Sequence, residues 1–280
     1  MEHRPFGSAG REVAVIGQGT WQMERRDKTR AVEALRRGLD LGMTHIDTAE
    51  MYGSGETEEI VGEAIRGRRD EVFLVSKVMP QNASSAGTIA ACERSLRRLG
   101  TDRLDCYLLH WPGRFALDDT FGAFETLRAQ GKIRSWGVSN FDVTELNEAI
   151  ALAGADRLAC NQVLYHLQER AVEHTVLPLC ASRGIALVAY SPFGQAGFPR
   201  RTSPGGRLLE DIAKAHGATA RQIALAFLLR DKSTFVIPKA ATAAHVEDNA
   251  GASGIVLDPG ELERIDQAFP AGRPRGLPML

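Results

Sequence analysis

Polar side chains close three successive apolar runs at an almost constant interval. Asp47 lies in THIDTAEMYG, with Tyr52 just beyond it, Lys77 in FLVSKV and His110 in YLLHWP. Asp47 and Lys77 are 30 residues apart, and Lys77 and His110 are 33 apart. One strand, one helix and two loops fill that length, so each residue is expected to close a strand of a repeating β/α chain. In a parallel β/α barrel every strand points the same way and the last residues meet on one rim. A carboxylate, a phenol, an amine and an imidazole gathered there form an acid–base device.

The alternation continues along the chain. RPFG and REVAVI flank the turn signal Ser8-Ala9-Gly10, which predicts a hairpin that plugs one end of the fold. The eight predicted strands are IGQGTW, THIDTA, VFLVSKV, DCYLLHW, IRSWGVSN, LACNQVLYH, IALVAYSPF and FVIPKA. Asp27 caps a helix with Ala31, Leu35 and Leu39 on its apolar face, and Gly42 ends it. A second helix runs from the acidic run at Glu56–Glu59 to Arg66, Arg68 and Arg69, in keeping with the helix dipole. Ile89, Cys92, Leu96 and Leu99 mark the third helix, and Phe121, Phe124 and Leu127 the fourth. Asp142 with Glu145 predicts a capping box. Two helical segments near 206–216 and 219–230 precede the eighth strand, and a last helix opens at Asp258-Pro259. No Pro/Gly-rich linker interrupts the series, so residues 1–280 are expected to form a single (β/α)8 barrel domain with extra C-terminal helices. A doubly wound sheet would want G-x-G-x-x-G after the first strand. Gly17-Gln18-Gly19 lacks the third glycine, and so does Gly53-Ser54-Gly55.

The net charge of −1 offers no basic field for nucleic acid, and no apolar run is long enough to span a membrane. The N-terminus lacks the apolar core of a signal peptide. Cys92, Cys106, Cys160 and Cys180 match no metal spacing and read as reduced thiols, so a cytoplasmic location and no metal are expected. Asn82-Ala83-Ser84 is then a chance glycosylation match.

Taken singly, the Asp is more often a cap, the Lys a solvated charge and the His a satisfied core residue. Four of them on one rim would not arise from four independent structural uses. A free tyrosine has a pKa near 10, and an ammonium beside it favours the phenolate, so Lys77 is expected to bring the Tyr52 pKa down. Asp47 would hold Lys77 protonated, and His110 would hydrogen-bond a substrate oxygen. The group suits proton delivery to a carbonyl but supplies no hydride, so redox chemistry needs a cofactor. Farther round the rim, Ser139, Asn140 and Gln162 can pair with a carboxamide, and Tyr190 can stack on a flat ring. Ser191, Gly194 and Lys239 stand where barrels often hold phosphate.

The pieces GQGTW, GMTHIDTAEMYGSGE, VSKV, LLHWP, WGVSNF, NQVLYH, AYSPFG and IPKA, in this order, make the chain resemble the aldo-keto reductases over nearly its full length. That resemblance implies a nicotinamide dinucleotide, NADPH with NADH possible, bound by a barrel without a Rossmann domain. It implies Asp47, Tyr52, Lys77 and His110 as catalytic residues, with Tyr52 the general acid. It implies cofactor contacts from Gly19, Thr20, Asp47, Ser139, Asn140, Gln162, Tyr190, Ser191, Phe193, Gly194, Lys239, His245, Asp248 and Asn249. Trp21, Tyr52, His110 and Trp111 would line the substrate pocket. The family often has Ser and Arg where this chain has Ala240 and His245, and both hold the adenosine 2′-phosphate. Losing a bidentate guanidinium predicts weaker discrimination between NADPH and NADH than is usual. The short loop 113–119 suggests an open pocket for small carbonyl compounds, with Arg114 more a solvated charge than an anion clamp. The expected protein is therefore an NAD(P)H-dependent reductase of aldehydes or ketones, a monomer or weak oligomer. Rival readings are a slow cofactor-sensing regulatory module and a Schiff-base barrel using Lys77.

Overall fold

The computed structural model describes residues 1–195 and 197–279, so Leu280 at the end of the RGLPML tail lies outside it. Strands β1 (His3–Pro5) and β2 (Glu12–Ala14) form the antiparallel N-terminal hairpin, with Arg4 opposite Val13. The barrel strands are β3 (Gln18–Gly19), β4 (His45–Asp47), β5 (Phe73–Val78), β6 (Leu104–Leu109), β7 (Ile133–Ser139), β8 (Leu158–Leu164), β9 (Ala186–Tyr190) and β10 (Thr234–Val236). All eight are parallel and pair in chain order from β3 to β10. Parallel bridges from Ile16 to Val236 and from Gly19 to Lys239 join the two edges and close the barrel. The Gly17 amide donates to the Val236 carbonyl at 2.8 Å across that seam, and the Val236 amide to Val15 at 2.9 Å. A Cβ on Gly19 would come within 2.5 Å of the Ile237 carbonyl oxygen, so the closure requires a residue without a side chain there.

Ten α-helices are found among the described residues: α1 (Lys28–Asp40), α2 (Glu56–Ile65), α3 (Ser85–Leu99), α4 (Leu117–Ala129), α5 (Val143–Ala153), α6 (Val176–Arg183), α7 (Pro204–Ala215), α8 (Ala220–Leu228), α9 (Ala243–Ala250) and α10 (Pro259–Ala268). The caps read from sequence are present. Asp27 accepts from the Arg30 amide, Asp142 and Glu145 close a full capping box, and so do Asp258 and Glu261. The second helix is shorter than expected. It ends at Ile65, because Arg66 turns to an extended ψ of 123° and Gly67 takes a φ of +80°. Past the helix end, Arg68 pairs with Asp40 of α1 and with Glu71, and Arg69 pairs with Asp105 of β6. Helices α6 and α9 were not anticipated. On α10, Ile265 and Phe269 are buried, whereas Leu262 is only partly so.

The strands are buried on both faces, as a sheet covered by helices requires. The hairpin closes the end of the barrel opposite the rim. Phe6 is buried beneath it, its ring centroid 4.9 Å from both Phe73 and Phe235 and 5.6 Å from His45. His45 is completely buried, and neither ring nitrogen has a hydrogen-bond partner among the described residues. Burial, then the positive charge of Lys77, pushes its pKa down to about 3. In the unfolded chain the same group titrates near 6.5. Below that pH the unfolded state takes up a proton that the native state refuses, so stability is lost as pH falls from about 6.5 toward 3, at about 1.4 kcal/mol per unit. Denaturant unfolding at pH 6 and pH 5 checks this. The loss of stability between the two should be about 1 kcal/mol smaller in His45→Leu than in the wild type. Equal losses would mean that the buried imidazole accepts its proton in the folded state.

Candidate active site

The rim at the strand C-termini gathers the acid–base residues. Asp47 is the last residue of β4, and Lys77 is the penultimate residue of β5. His110 follows β6 directly, and its amide donates to Val78 at 3.0 Å. Tyr52 begins a short 3-10 segment, Tyr52–Gly55. Beyond it the chain makes a tight turn through three left-handed residues, with φ of 56° at Gly53, 52° at Ser54 and 102° at Gly55. Two glycines meet two of these demands without strain, and Ser54 bears the third. Glu24 packs against Gly53 and accepts from the Thr57 hydroxyl at 2.8 Å, which ties this turn to the loop after β3.

Lys77 is fully buried and does not reach the pocket surface. Its Nζ donates to Asp47 Oδ1 at 2.6 Å, to the Thr48 carbonyl at 2.9 Å and to the Tyr52 hydroxyl at 3.3 Å. The second Asp47 oxygen accepts from Gln162 Nε2 at 2.7 Å, across the barrel from β8. Burial alone would lower the Lys77 pKa, but Asp47 and then Tyr52 reverse the sign and hold it above the ordinary value. The ammonium is therefore permanent.

The Tyr52 pKa is raised, contrary to the sequence expectation. Burial is the largest influence and outweighs the lowering by Lys77, while Asp47 adds to the rise. The cation beside the phenol moderates a cost of burial without reversing it. Tyr52 is thus a protonated phenol at neutral pH, the form a proton donor must have. His110 is pushed the other way, well below 6.5, by burial and then by Lys77. It is a neutral imidazole, its ring edge-on to Tyr52 at 5.9 Å and against Trp111 at 4.7 Å.

A pocket of about 150 Å3 opens above these groups. Gly19, Thr20, Trp21, Asp47, Tyr52, His110, Trp111, Ser139, Asn140, Gln162, Tyr190, Ser191 and Lys239 all line it. The structure thus brings together most of the residues marked in the sequence. Asn140 and Ser191 have left-handed backbones, with φ of 61° and 50°. The Asn140 amide donates to the His110 carbonyl at 3.1 Å and accepts from the Tyr190 hydroxyl at 3.0 Å, so these strand ends hold one another. Ser139 donates to the Gln162 carbonyl at 2.9 Å.

Phe193, Gly194, His245, Asp248 and Asn249 lie in an adjoining cavity of about 290 Å3 that shares Lys239 and Gln195 with the pocket. Asn249 is buried, and its amide nitrogen has no partner among the described residues. The two cavities fit an elongated ligand with a polar group at each end, as a dinucleotide has. Arg114 does not line the pocket; it lies over the Phe115 ring at 5.1 Å.

Sequence reasoning missed Met51, Gln195 and Ile237 in the pocket wall. Met51 and Ile237 carry no group that chemistry would single out, and the Gln195 amide lies in a loop with no strand end to mark it. It also missed the arginines Arg25, Arg26, Arg30 and Arg221 around the outer cavities. The basic run in ERRDKTR was the one available signal, and it reads as an ordinary solvated turn.

Residues 15–269 match the model of the Aldo/keto reductase family. The methylglyoxal reductase YeaE of Escherichia coli (strain K12) is 49% identical over 266 residues, covering 94% of this chain and 93% of its own. The glyoxal reductase of Bacillus subtilis (strain 168) is 34% identical over 265 residues, covering 92% and 89%. An aldo-keto reductase from Klebsiella pneumoniae, solved in complex with NADPH, superposes with a TM-score of 0.93 at 44% identity and covers all of both chains. With its closed parallel barrel and a family match spanning most of its length, the chain belongs to the aldo/keto reductase family.

Proposed function

We propose that the protein reduces small 2-oxo aldehydes of the methylglyoxal type to alcohols, using NADPH, with Tyr52 as the proton donor. The reaction class is that of its family, carbonyl reduction with a nicotinamide dinucleotide. The substrate class rests on the two reductases of 2-oxo aldehydes and dialdehydes among its relatives, and on the small pocket between Trp21 and Trp111. One observation carries the assignment of the donor: the Tyr52 hydroxyl sits 3.3 Å from a permanent ammonium at the pocket wall.

The bound dinucleotide supplies the hydride. The chain's own residues handle the oxygen. Tyr52 gives its proton to the carbonyl oxygen as negative charge grows there. Lys77 stabilises the phenolate left behind, at the moment when its charge is most needed. Asp47 keeps Lys77 charged and aimed, and Gln162 fixes Asp47. His110, neutral, offers a hydrogen bond to the same oxygen without competing for the proton. Ser139, Asn140 and Gln162, which line the pocket, would hold the cofactor's carboxamide through their amide and hydroxyl groups, and the Tyr190 ring would support the flat nicotinamide. An aldehyde with an adjacent oxo group is electrophilic and compact, and a pocket of this size admits it. With four buried free thiols, the protein suits a reducing, cytoplasmic setting. No observation favours a regulatory role, and the Asp47 contact keeps Lys77 protonated and so unsuited to Schiff-base formation.

Tyr52→Phe should lower kcat by at least about 100-fold while NADPH binding stays within about threefold, as measured by loss of nicotinamide absorbance and by fluorescence titration. Loss of binding instead would assign Tyr52 a structural part. The pH profile separates the donors. With a raised phenol pKa and a depressed imidazole pKa, kcat/KM for reduction should stay flat from about pH 6 to 9 and fall only near or above 10. A break near 7 would move proton delivery to a histidine.

A further inference from the structure

A third cavity, of about 570 Å3, opens beside the two that hold the rim residues. One wall is Arg25, Arg26 and Asp27, from the segment between β3 and α1, with Arg30 in the first turn of α1. The other is Lys239, Ala240 and Thr242, from the segment between β10 and α9, with His245 in the first turn of α9. Lys239 and His245 also line the 290 Å3 cavity, so the two spaces meet at those side chains. Three guanidinium groups and the Lys239 amine therefore face one carboxylate. That carboxylate, Asp27, is already engaged in capping α1 through the Arg30 amide at 2.9 Å. Arg25 approaches Glu24 at 3.6 Å, whereas the guanidinium groups of Arg26 and Arg30 make no ion pair among the described residues.

Like charges drawn from two separate segments repel, and the repulsion is felt at Lys239. Its pKa is lowered by burial and then by the charge of Arg26, with Glu24 opposing. An anion in the cavity would turn this repulsion into attraction. An adenosine bound in the 290 Å3 cavity would adjoin the basic cavity at the shared side chains of Lys239 and His245. A ribose substituent directed at those side chains would enter the basic cavity.

We propose that Arg26 and Arg30, together with Lys239, bind the phosphate monoester on the 2′ position of the adenosine ribose, and so select NADPH over NADH. The proposal rests on the reading of the protein as a nicotinamide-dependent reductase. The weaker discrimination expected from Ala240 and His245 considers only the wall after β10. The opposite wall supplies the guanidinium groups that those two positions lack, and a planar guanidinium matches a phosphate dianion through paired hydrogen bonds.

The test is direct binding, free of turnover. The full-length protein is titrated with NADPH and with NADH by quenching of tryptophan fluorescence, Trp21 and Trp111 lying in the pocket. Adenosine 2′-monophosphate, adenosine 5′-monophosphate and inorganic phosphate serve as competitors. The wild type should bind NADPH about 100-fold more tightly than NADH. Arg26→Ala and Arg30→Ala should each weaken NADPH by about tenfold and leave NADH within about threefold. Arg26→Gln tests the charge with most of the side chain kept, and both sites are exposed, so folding should survive. The 2′-monophosphate should compete better than the 5′-monophosphate, and inorganic phosphate least. Variants that shift both dinucleotides alike, or neither, would overturn the proposal and leave the reductase reading intact. Failure of the wild type to bind either dinucleotide would overturn both.

Discussion

A buried ammonium sets the terms for this molecule. Lys77 is wholly removed from water, and an unpaired charge in that position would cost several kcal/mol. Asp47 and the Thr48 carbonyl meet it at 2.6 and 2.9 Å, and Gln162 in turn engages the free Asp47 oxygen. Each member comes from a different strand of the barrel or from the turn after one, so the network exists only when the sheet closes. Removing either charged partner would leave the other buried and alone, at about 3–5 kcal/mol. The pair is thus a poor source of stability and a strict constraint on register. A one-residue slip of β5 against β4 would point Lys77 to the opposite face of the sheet.

The same ammonium divides the titrating groups around it. It opposes protonation of both His110 and His45, and it moderates the cost of burying Tyr52. The consequence is an inversion of ordinary expectation. The imidazole, which usually titrates near neutrality, is silent, and the phenol is the group with a proton to give. Burial is the larger influence on both. The charge of Lys77 matters most at the moment a phenolate forms, because it is already in place and no solvent has to reorganise.

Much of this arrangement was legible in the chain. The spacing of Asp47, Lys77 and His110 reports the β/α period, and period plus parallel pairing puts their side chains on one rim. Caps at Asp27, Asp142 and Asp258 were readable because a side chain three residues from its target makes a local bond. Helix α6 lay unremarked between two recognised strands, and Arg66 to Arg69 read as a helix end although Gly67 had already turned the chain. The sign of the Tyr52 shift was beyond sequence altogether. A neighbouring cation can be inferred from spacing, but the loss of water that outweighs it depends on how deeply the folded loop seats the ring.

The basic cavity is the least legible part for the same reason. Arg26 and Lys239 are 213 residues apart, and ERRDKTR has the composition of any exposed turn. Their meeting follows from barrel closure, because the first and last strands become neighbours at the Gly19–Lys239 bridge. The loops that leave those two strands then face each other across the seam. A site on that seam has two walls of independent sequence, and a phosphate needs charge at the site without regard to which wall supplies it. Loss of an arginine from one side can therefore be offset from the other with no change in the fold. At this seam a cofactor preference read from a single loop is incomplete, because the facing loop is distant in sequence.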